Sequence, residues 1–422
     1  MVTAPPPVGV PSDAPRSSVL PAALLSTGGM VVQGAGRLAY TVLIGRAFGT
    51  ESLGHASTLL SFSVFVALLW PTPAGTAASR FLALGGATGT GAAGVRRALD
   101  LSMALSSAVL VVLTVPVALA LGNTLGVALS AGWLVAAYGA YAFARGARLG
   151  LLGSRRVAVW DSVSAFVALG ALVAVCASGT EGLVLVPLAA GYTMFAVACW
   201  PRRRGAEGGE GRGRAAIAFA AWNVVTGVAT NGLLQLAMIV AQVAAPGREA
   251  GIYAAAFTLA TPASMLGQAV SQVVIPAFAH RTTEAPFRER GPVLLTLTFS
   301  ACVAVVFGLV ALAAPWYLPL FYPAEAEGAV DLLRFLMLGV YVFTIGLIPA
   351  ALLLAAGRSR DVALASVAGF VVGVIVMVLA GPSWGVQAGS LGFLVGSSIN
   401  LVTVAVLAAM PSRQTKRRTA RQ

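Results

Sequence analysis

Long apolar runs separated by short polar turns make up most of the chain. A helix needs roughly 20 apolar residues to cross a 30 Å hydrocarbon core, and about twelve runs reach that length. The first six are Val19–Gly45, Ala56–Leu84, Ala98–Leu121, Gly126–Leu152, Val157–Ala177 and Leu183–Trp200. Six more follow: Ala215–Val243, Ile252–Phe278, Val293–Ala314, Leu332–Ala356, Val362–Ala380 and Val386–Ala409. The runs are too long for barrel strands and lack period-two alternation. The pattern predicts an all-α polytopic membrane protein of about 12 transmembrane helices; the repeat and the family resemblance given below arrange them in two parallel six-helix bundles around a central cavity. Residues 1–17, with Pro5, Pro6, Pro7, Pro11 and Pro15, read as a disordered cytoplasmic tail. The bundles are then 18–200 and 215–410, joined by a polar cytoplasmic linker over 201–214, with a basic tail at 411–422. The first run, at about 25 residues, exceeds a signal-peptide core of 7–15 and reads as a retained helix.

Composition narrows the class. Of 422 residues 58% are hydrophobic and 10% charged, and the mean hydropathy is +0.88. A soluble domain carries roughly 25% charged residues, so this chain's surface suits lipid. The net charge of +13 would fit nucleic acid, but the charges sit in short loops between apolar runs, which membrane topology explains without it. Cys176, Cys199 and Cys302 all lie in apolar runs as packing residues, and His55 and His280 are too isolated for a metal cluster. No Walker A loop, metal-ligand set or long catalytic loop is evident, so neither cofactor nor catalysis is expected.

Loop charge sets the orientation. With the N-terminus inside, Arg96, Arg97, Arg155, Arg156, Arg202, Arg203, Arg204, Arg288, Arg290, Arg358, Arg360 and the basic tail are all cytoplasmic. Only Arg46 and Arg248 occupy clear loop positions outside. The positive-inside rule therefore places both termini in the cytoplasm. Trp316, Tyr317, Phe321 and Tyr322 fall at the outer interface, as an aromatic anchor.

The halves also resemble each other. The turn GRAFGTESLG at 45–54 has a counterpart in QVAAPGREAG, so that Gly54 aligns with Gly251 and Phe81 with Phe278. Further on, Gly153, Arg156, Ser162, Val163 and Phe166 align with Gly357, Arg360, Ser366, Val367 and Phe370. Each half has an even number of spans, which makes the repeat parallel, about an axis along the membrane normal.

Polar groups inside the spans mark the candidate site. A charge in hydrocarbon costs on the order of 2.5–3.5 kcal/mol. Arg37 lies within the first span, with Gln33 four residues before it and Tyr40 three after, a face that should look into a wet cavity. A structural arginine paired to a helix carbonyl is the alternative. In the seventh span Asn231 and Gln235 repeat the four-residue spacing and match Gln33 and Arg37, with Asn223 roughly on that side. Cavity lining and plain interhelical hydrogen bonding both fit them. Arg80, Arg145 and Arg148 lie toward cytoplasmic span ends, where they either snorkel or line an inward-facing cavity. Gln268 and Gln272 read as helix–helix contacts. Asp161 is nearly the only acid inside a span and reads as sitting near the cytoplasmic face beside Arg155 and Arg156. Cationic positions without acidic partners suit an anionic substrate.

With Arg37 in its first helix and Arg46, Gly49, Glu51 and Gly54 in the turn that follows, the chain resembles the polysaccharide-biosynthesis oligosaccharide flippases of the multidrug/oligosaccharidyl-lipid/polysaccharide exporter superfamily. Gly247, Arg248, Glu249 and Gly251 repeat that turn, while Gly357-Arg358 and Trp384–Gly389 resemble the family's late loops. The resemblance runs from about Val19 to Met410 through degenerate motifs. It implies a V-shaped pair of bundles in a bacterial cytoplasmic membrane. It also implies flipping of an undecaprenyl-pyrophosphate-linked oligosaccharide by alternating access, and possible association with a polysaccharide polymerase or glycosyltransferases. Arg37 is the match for the arginines thought to hold pyrophosphate; with it Gln33, Tyr40, Asn223, Asn231, Gln235, Arg80 and Arg148 form the expected substrate-binding set. The eleventh span lacks the asparagines often found there, and there is no sign of the two extra helices of the lipid II flippases. A cation-coupled multidrug exporter of the same superfamily is the nearest rival, and would want a buried acid. A membrane glycosyltransferase or polymerase would need a catalytic outer loop, a major-facilitator transporter a basic signature between Arg80 and Arg97; a non-transporting scaffold remains.

Overall fold

The computed structural model describes residues 19–88, 92–151, 153–201, 210–262, 285–356 and 358–410. Both tails, the linker arginines at 202–204, Gln268, Gln272, Phe278, His280 and Gly357 lie outside them. Hydrocarbon offers nothing to bond backbone N–H and C=O groups, so each apolar run closes its own bonds as a helix. The first half contains α1 (Val19–Phe48), α2 (Thr50–Leu69), α3 (Pro71–Thr88), α4 (Ala92–Ala120), α5 (Leu125–Gly150), α6 (Ser154–Ser178) and α7 (Val186–Cys199). The second contains α8 (Glu210–Gly227), α9 (Leu233–Ala244), α10 (248–262), α11 (Arg290–Phe321), α12 (Ala326–Ala355), α13 (Ser359–Trp384) and α14 (Gln387–Ala409). Ten helical spans among the described residues are long and apolar enough to cross a membrane. Of the twelve expected runs, those of α1 and α10 are not among the ten, and α10 is described only to residue 262. The chain is a polytopic all-α membrane protein.

Two runs are not simple helices. The second breaks at Trp70-Pro71 into α2 and α3, because proline lacks the N–H that would continue the ladder. The seventh passes from α8 to α9 through a π-helical turn at Val228–Gly232.

Both halves pack by one scheme. In the first, α1 lies on α6, α4 and α7 lie on α5, and α6 lies on α7. In the second, α9 lies on α13, α11 and α14 lie on α12, and α13 lies on α14. The third span of each half is the most lipid-facing, with Leu101, Leu105 and Val112 exposed on α4 and Leu294, Leu309 and Leu312 on α11. One core centres on Tyr40, Leu134 and Phe195, the other on Met238, Leu333 and Phe393. The inner half of the seventh span is the exception to this division: α8 leaves its own bundle and packs Ala216 and Ala220 among Ala74, Ala78 and Leu99 of α3 and α4.

Hydrogen bonds between helix ends identify the two membrane faces. Arg156 at the start of α6 donates to Ala198 O at the end of α7 (2.7 Å), and Arg358 before α13 donates to Leu407 O at the end of α14 (2.8 Å). This is the terminal face, where the chain enters α1 and leaves α14. On the far face the halves meet. Thr50 Oγ1 donates to Glu325 Oε1 at 2.8 Å, and Tyr322 donates to Thr41 Oγ1 at 3.1 Å. Arg46 reaches the carbonyls of Leu320 and Phe321. Tyr322 is therefore fully buried in this seam rather than anchoring at the lipid interface, whereas Trp316 is 80% exposed. Burial pushes the Tyr322 hydroxyl up to about 12, which keeps it a proton donor.

The start of α2 touches the start of α10 through Gly54 and Gly251. Residues equivalent by repeat that touch each other lie on the symmetry axis, so the axis runs through this crossing. The approach is backbone to backbone: a Cβ on Gly251 would sit 1.9 Å from Thr50 O. Gly251→Ala is expected to force the far seam apart at roughly 1–3 kcal/mol, read as a lower unfolding temperature in detergent. An unchanged melting curve would show that the crossing is loose.

Candidate functional site: the central cavity

Between the halves lies a cavity of about 510 Å³. Gln33 and Arg37 of α1 line one side, and Asn231 of the π turn and Gln235 of α9 line the other. Thr72, Thr76 and Ser79 of α3 and Arg145 and Leu149 of α5 continue the lining toward the terminal face, where Thr76 is exposed. The far seam closes the other end. The structure is thus accessible from the terminal face and shut on the far face.

Four members of the expected set come together here and four do not. Arg37 is half-buried, lies within electrostatic reach of the Tyr138 and Tyr192 hydroxyls, and has no ion-pair partner among the described residues. Gln33 is turned against α6: its Nε2 donates to Asp161 O and to Ser164 Oγ, both at 2.7 Å. Asn231 donates to Thr230 Oγ1 at 3.1 Å. Gln235 is buried, with its Oε1 unpartnered.

Tyr40 is 1% exposed and donates to Val184 O instead of facing the cavity. It shares the helix face of Gln33 but sits two turns nearer the far face, where the segment entering α7 covers it. Asn223 returns its amide to Phe219 O (2.8 Å) below the π turn. The wider turn re-registers the helix between Asn223 and Asn231, so a 3.6-residue extrapolation across it fails. Arg80 lies over the Phe219 ring, 4.8 Å from its centroid, across the α3–α8 seam; it is exposed and outside the cavity lining. Arg148 packs against Gly153 at the end of α5, also outside that lining.

Sequence reading set Asp161 beside Arg155 and Arg156, but its partners are on α5. Asp161 is fully buried inside the first bundle, well away from any loop arginine role. Its Oδ2 meets Arg145 Nε at 3.3 Å and its Oδ1 accepts from Tyr141 at 3.0 Å. Arg145 thus faces both ways, toward the acid and into the cavity. A polar stripe on α5, Tyr138, Tyr141 and Arg145 at spacings of three and four, was the available signal. The repeat places Ala365 opposite Asp161 and Pro349 opposite Arg145, and there the second bundle packs Gly369 against Gly396. Among the described residues, the second half has no counterpart of this charged pair. The guanidiniums of Arg37 and Arg145 face carboxamides and hydroxyls across the cavity, and no acid lines it among the described residues. Among the described residues no group of three metal-ligating side chains converges.

No protein-family model matches the chain, and no curated protein does. Solved structures match its fold. An inward-facing multidrug-resistance MATE transporter of the MOP superfamily matches at TM-score 0.72 and 13% identity, covering 94% of this chain and 98% of that one. The lipid II flippase MurJ in an inward closed conformation matches at 0.72 and 13%, covering 91% and 87%. An outward-facing MATE transporter of the MOP superfamily matches at 0.62 and 16%, covering 96% of each. The chain shares its fold with these structures, and it fits the inward-facing MATE structure better than the outward-facing one.

Proposed function

We propose that the protein is a flippase that moves an undecaprenyl-pyrophosphate-linked oligosaccharide from the inner to the outer leaflet of a bacterial membrane by alternating access, with the terminal face in the cytoplasm. The observation that carries this reading is the pairing of Arg37 with Arg145 around one cavity that also presents Asn231 and Gln235. Guanidinium forks match phosphate oxygens in pairs, and carboxamides suit sugar hydroxyls. The two-bundle fold supplies the rocking halves that alternating access needs. Deleting the gene should make lipid-linked oligosaccharide accumulate in the inner leaflet, and a deletion strain with normal lipid-linked pools would overturn the assignment. Reporter fusions at Gly122, Gly247 and Gly381 should read outside; cytoplasmic signals at two of them would reverse the topology.

A cation-coupled drug exporter is the second reading, and the buried Asp161 is what favours it. Its carboxylate already holds Arg145 and Tyr141, which leaves the site cationic overall and fits an organic cation poorly.

A further inference from the structure

Beyond the central cavity, toward the far face, the seam encloses a smaller space of about 40 Å³ between α1, α2, α9 and α10. Arg37 and Gln235 line both spaces. Ser57 and Ser61, one turn apart on α2, line it too, with Thr41 of α1 and Thr258 and Thr261 of α10. Ser57, Ser61 and Gln235 are all more than nine-tenths buried, and Ser57 Oγ, Ser61 Oγ and Gln235 Oε1 have no partner among the described residues. A helix offers every serine or threonine a carbonyl one turn back. Thr58 takes Gly54 O at 2.9 Å and Ser63 takes Leu60 O at 2.7 Å. Ser57 and Ser61 do not.

Orphaned polar groups cost stability and call for an explanation. A second state that satisfies them supplies one. Beside the Gly54–Gly251 crossing, the seam above them carries polar contacts: Tyr322 on Thr41, Thr50 on Glu325, and Arg46 on the end of α11. If these part, the small space joins the central cavity into one cleft open to the far face. We propose that Ser57, Ser61 and Gln235 form the far-side wall of the transport path, a carbohydrate-hydroxyl site that cargo meets only after the halves separate there. This rests on the cargo reading above. A space of this size admits a water but no sugar ring, so the site is shut in the state seen here. Hydroxyls and a carboxamide donate and accept, as a polyol requires, and among the described residues lining the space the only charge is Arg37. Cargo with its pyrophosphate on Arg37 would lead with its sugars toward the far face.

The test uses single cysteines, Ser57→Cys and Ser61→Cys, after replacing Cys176, Cys199 and Cys302 with alanine. A membrane-impermeant cationic methanethiosulfonate is applied to the far face of proteoliposomes, with Gly247→Cys as an accessible control. Both buried cysteines should react slowly. They should react roughly tenfold faster once Arg46→Ala, Thr50→Ala and Tyr322→Phe release the seam, since such changes shift populations. Purified lipid-linked oligosaccharide should slow the reaction. If neither cysteine reacts in either background while the control does, the wall never opens and the proposal falls. Reaction that ignores the oligosaccharide removes the carbohydrate role. If Thr72→Cys, in the central cavity, is then also unprotected, the cargo reading has failed; if Thr72→Cys is protected, it is this wall that was misassigned.

Discussion

Arg37→Ala is expected to reduce flipping about 100-fold or more while leaving insertion and folding intact. An unpaired guanidinium in hydrocarbon is kept at a cost on the order of 2.5–3.5 kcal/mol. No acid among the described residues offsets that cost, and the group faces the cavity, not a helix carbonyl. A pyrophosphate would make two charge-assisted hydrogen bonds to it, worth about 1.5–3 kcal/mol each. Losing both removes at least two decades in rate or affinity. Arg37→Lys should retain part of the activity, because a point charge still attracts phosphate without the fork. The measurement is oligosaccharide translocation in proteoliposomes, with a melting curve alongside. Parental flipping by a well-folded Arg37→Ala protein would refute the role. Failure to fold would mean that Arg37 is structural.

Asp161→Ala is expected to destabilise the first bundle by about 3–5 kcal/mol, the cost of leaving one partner of a buried ion pair alone. The carboxylate is fully buried between Tyr141, Arg145 and Gly29, so its removal takes the ion pair away from Arg145 and opens a void against α1. Asp161→Asn combined with Arg145→Gln should recover much of the stability, since a neutral pair carries no stranded charge. It should not recover flipping, because Arg145 also lines the cavity. Thermal unfolding in detergent separates the two effects. Equal melting temperatures for Asp161→Ala and the parent would show that the pair carries no structural weight.

Hydropathy made the spans legible, because a helix in lipid must be long and apolar, and the repeated turns made the parallel arrangement legible. Gly54 and Gly251, aligned in sequence only as repeat equivalents, are a pair that meets in the structure. Side-chain destinations were harder to read. Periodicity placed Arg37 and Gln33 correctly on α1, but it carries no depth, so Tyr40 was assigned to the cavity although it is covered near the far face. Helical extrapolation from Asn231 to Asn223 assumed 3.6 residues per turn across a segment that widens at Val228–Gly232. Arg80 found an aromatic ring on α8, a helix packed against the other half, which nothing local to α3 encodes. Asp161 was read by distance from the nearest loop, and its partner lies on another helix.

The most direct measurement of the central claim is translocation by the purified protein in proteoliposomes. The cargo is undecaprenyl-pyrophosphate oligosaccharide loaded on the terminal-face leaflet and scored by exposure to an impermeant glycosidase. The same glycan on a neutral prenyl lipid serves as the comparison. The account predicts that the pyrophosphate-linked glycan becomes exposed, that the neutral one does not, and that Arg37→Ala erases the difference. Equal exposure of the two lipids, or exposure of neither, would contradict it.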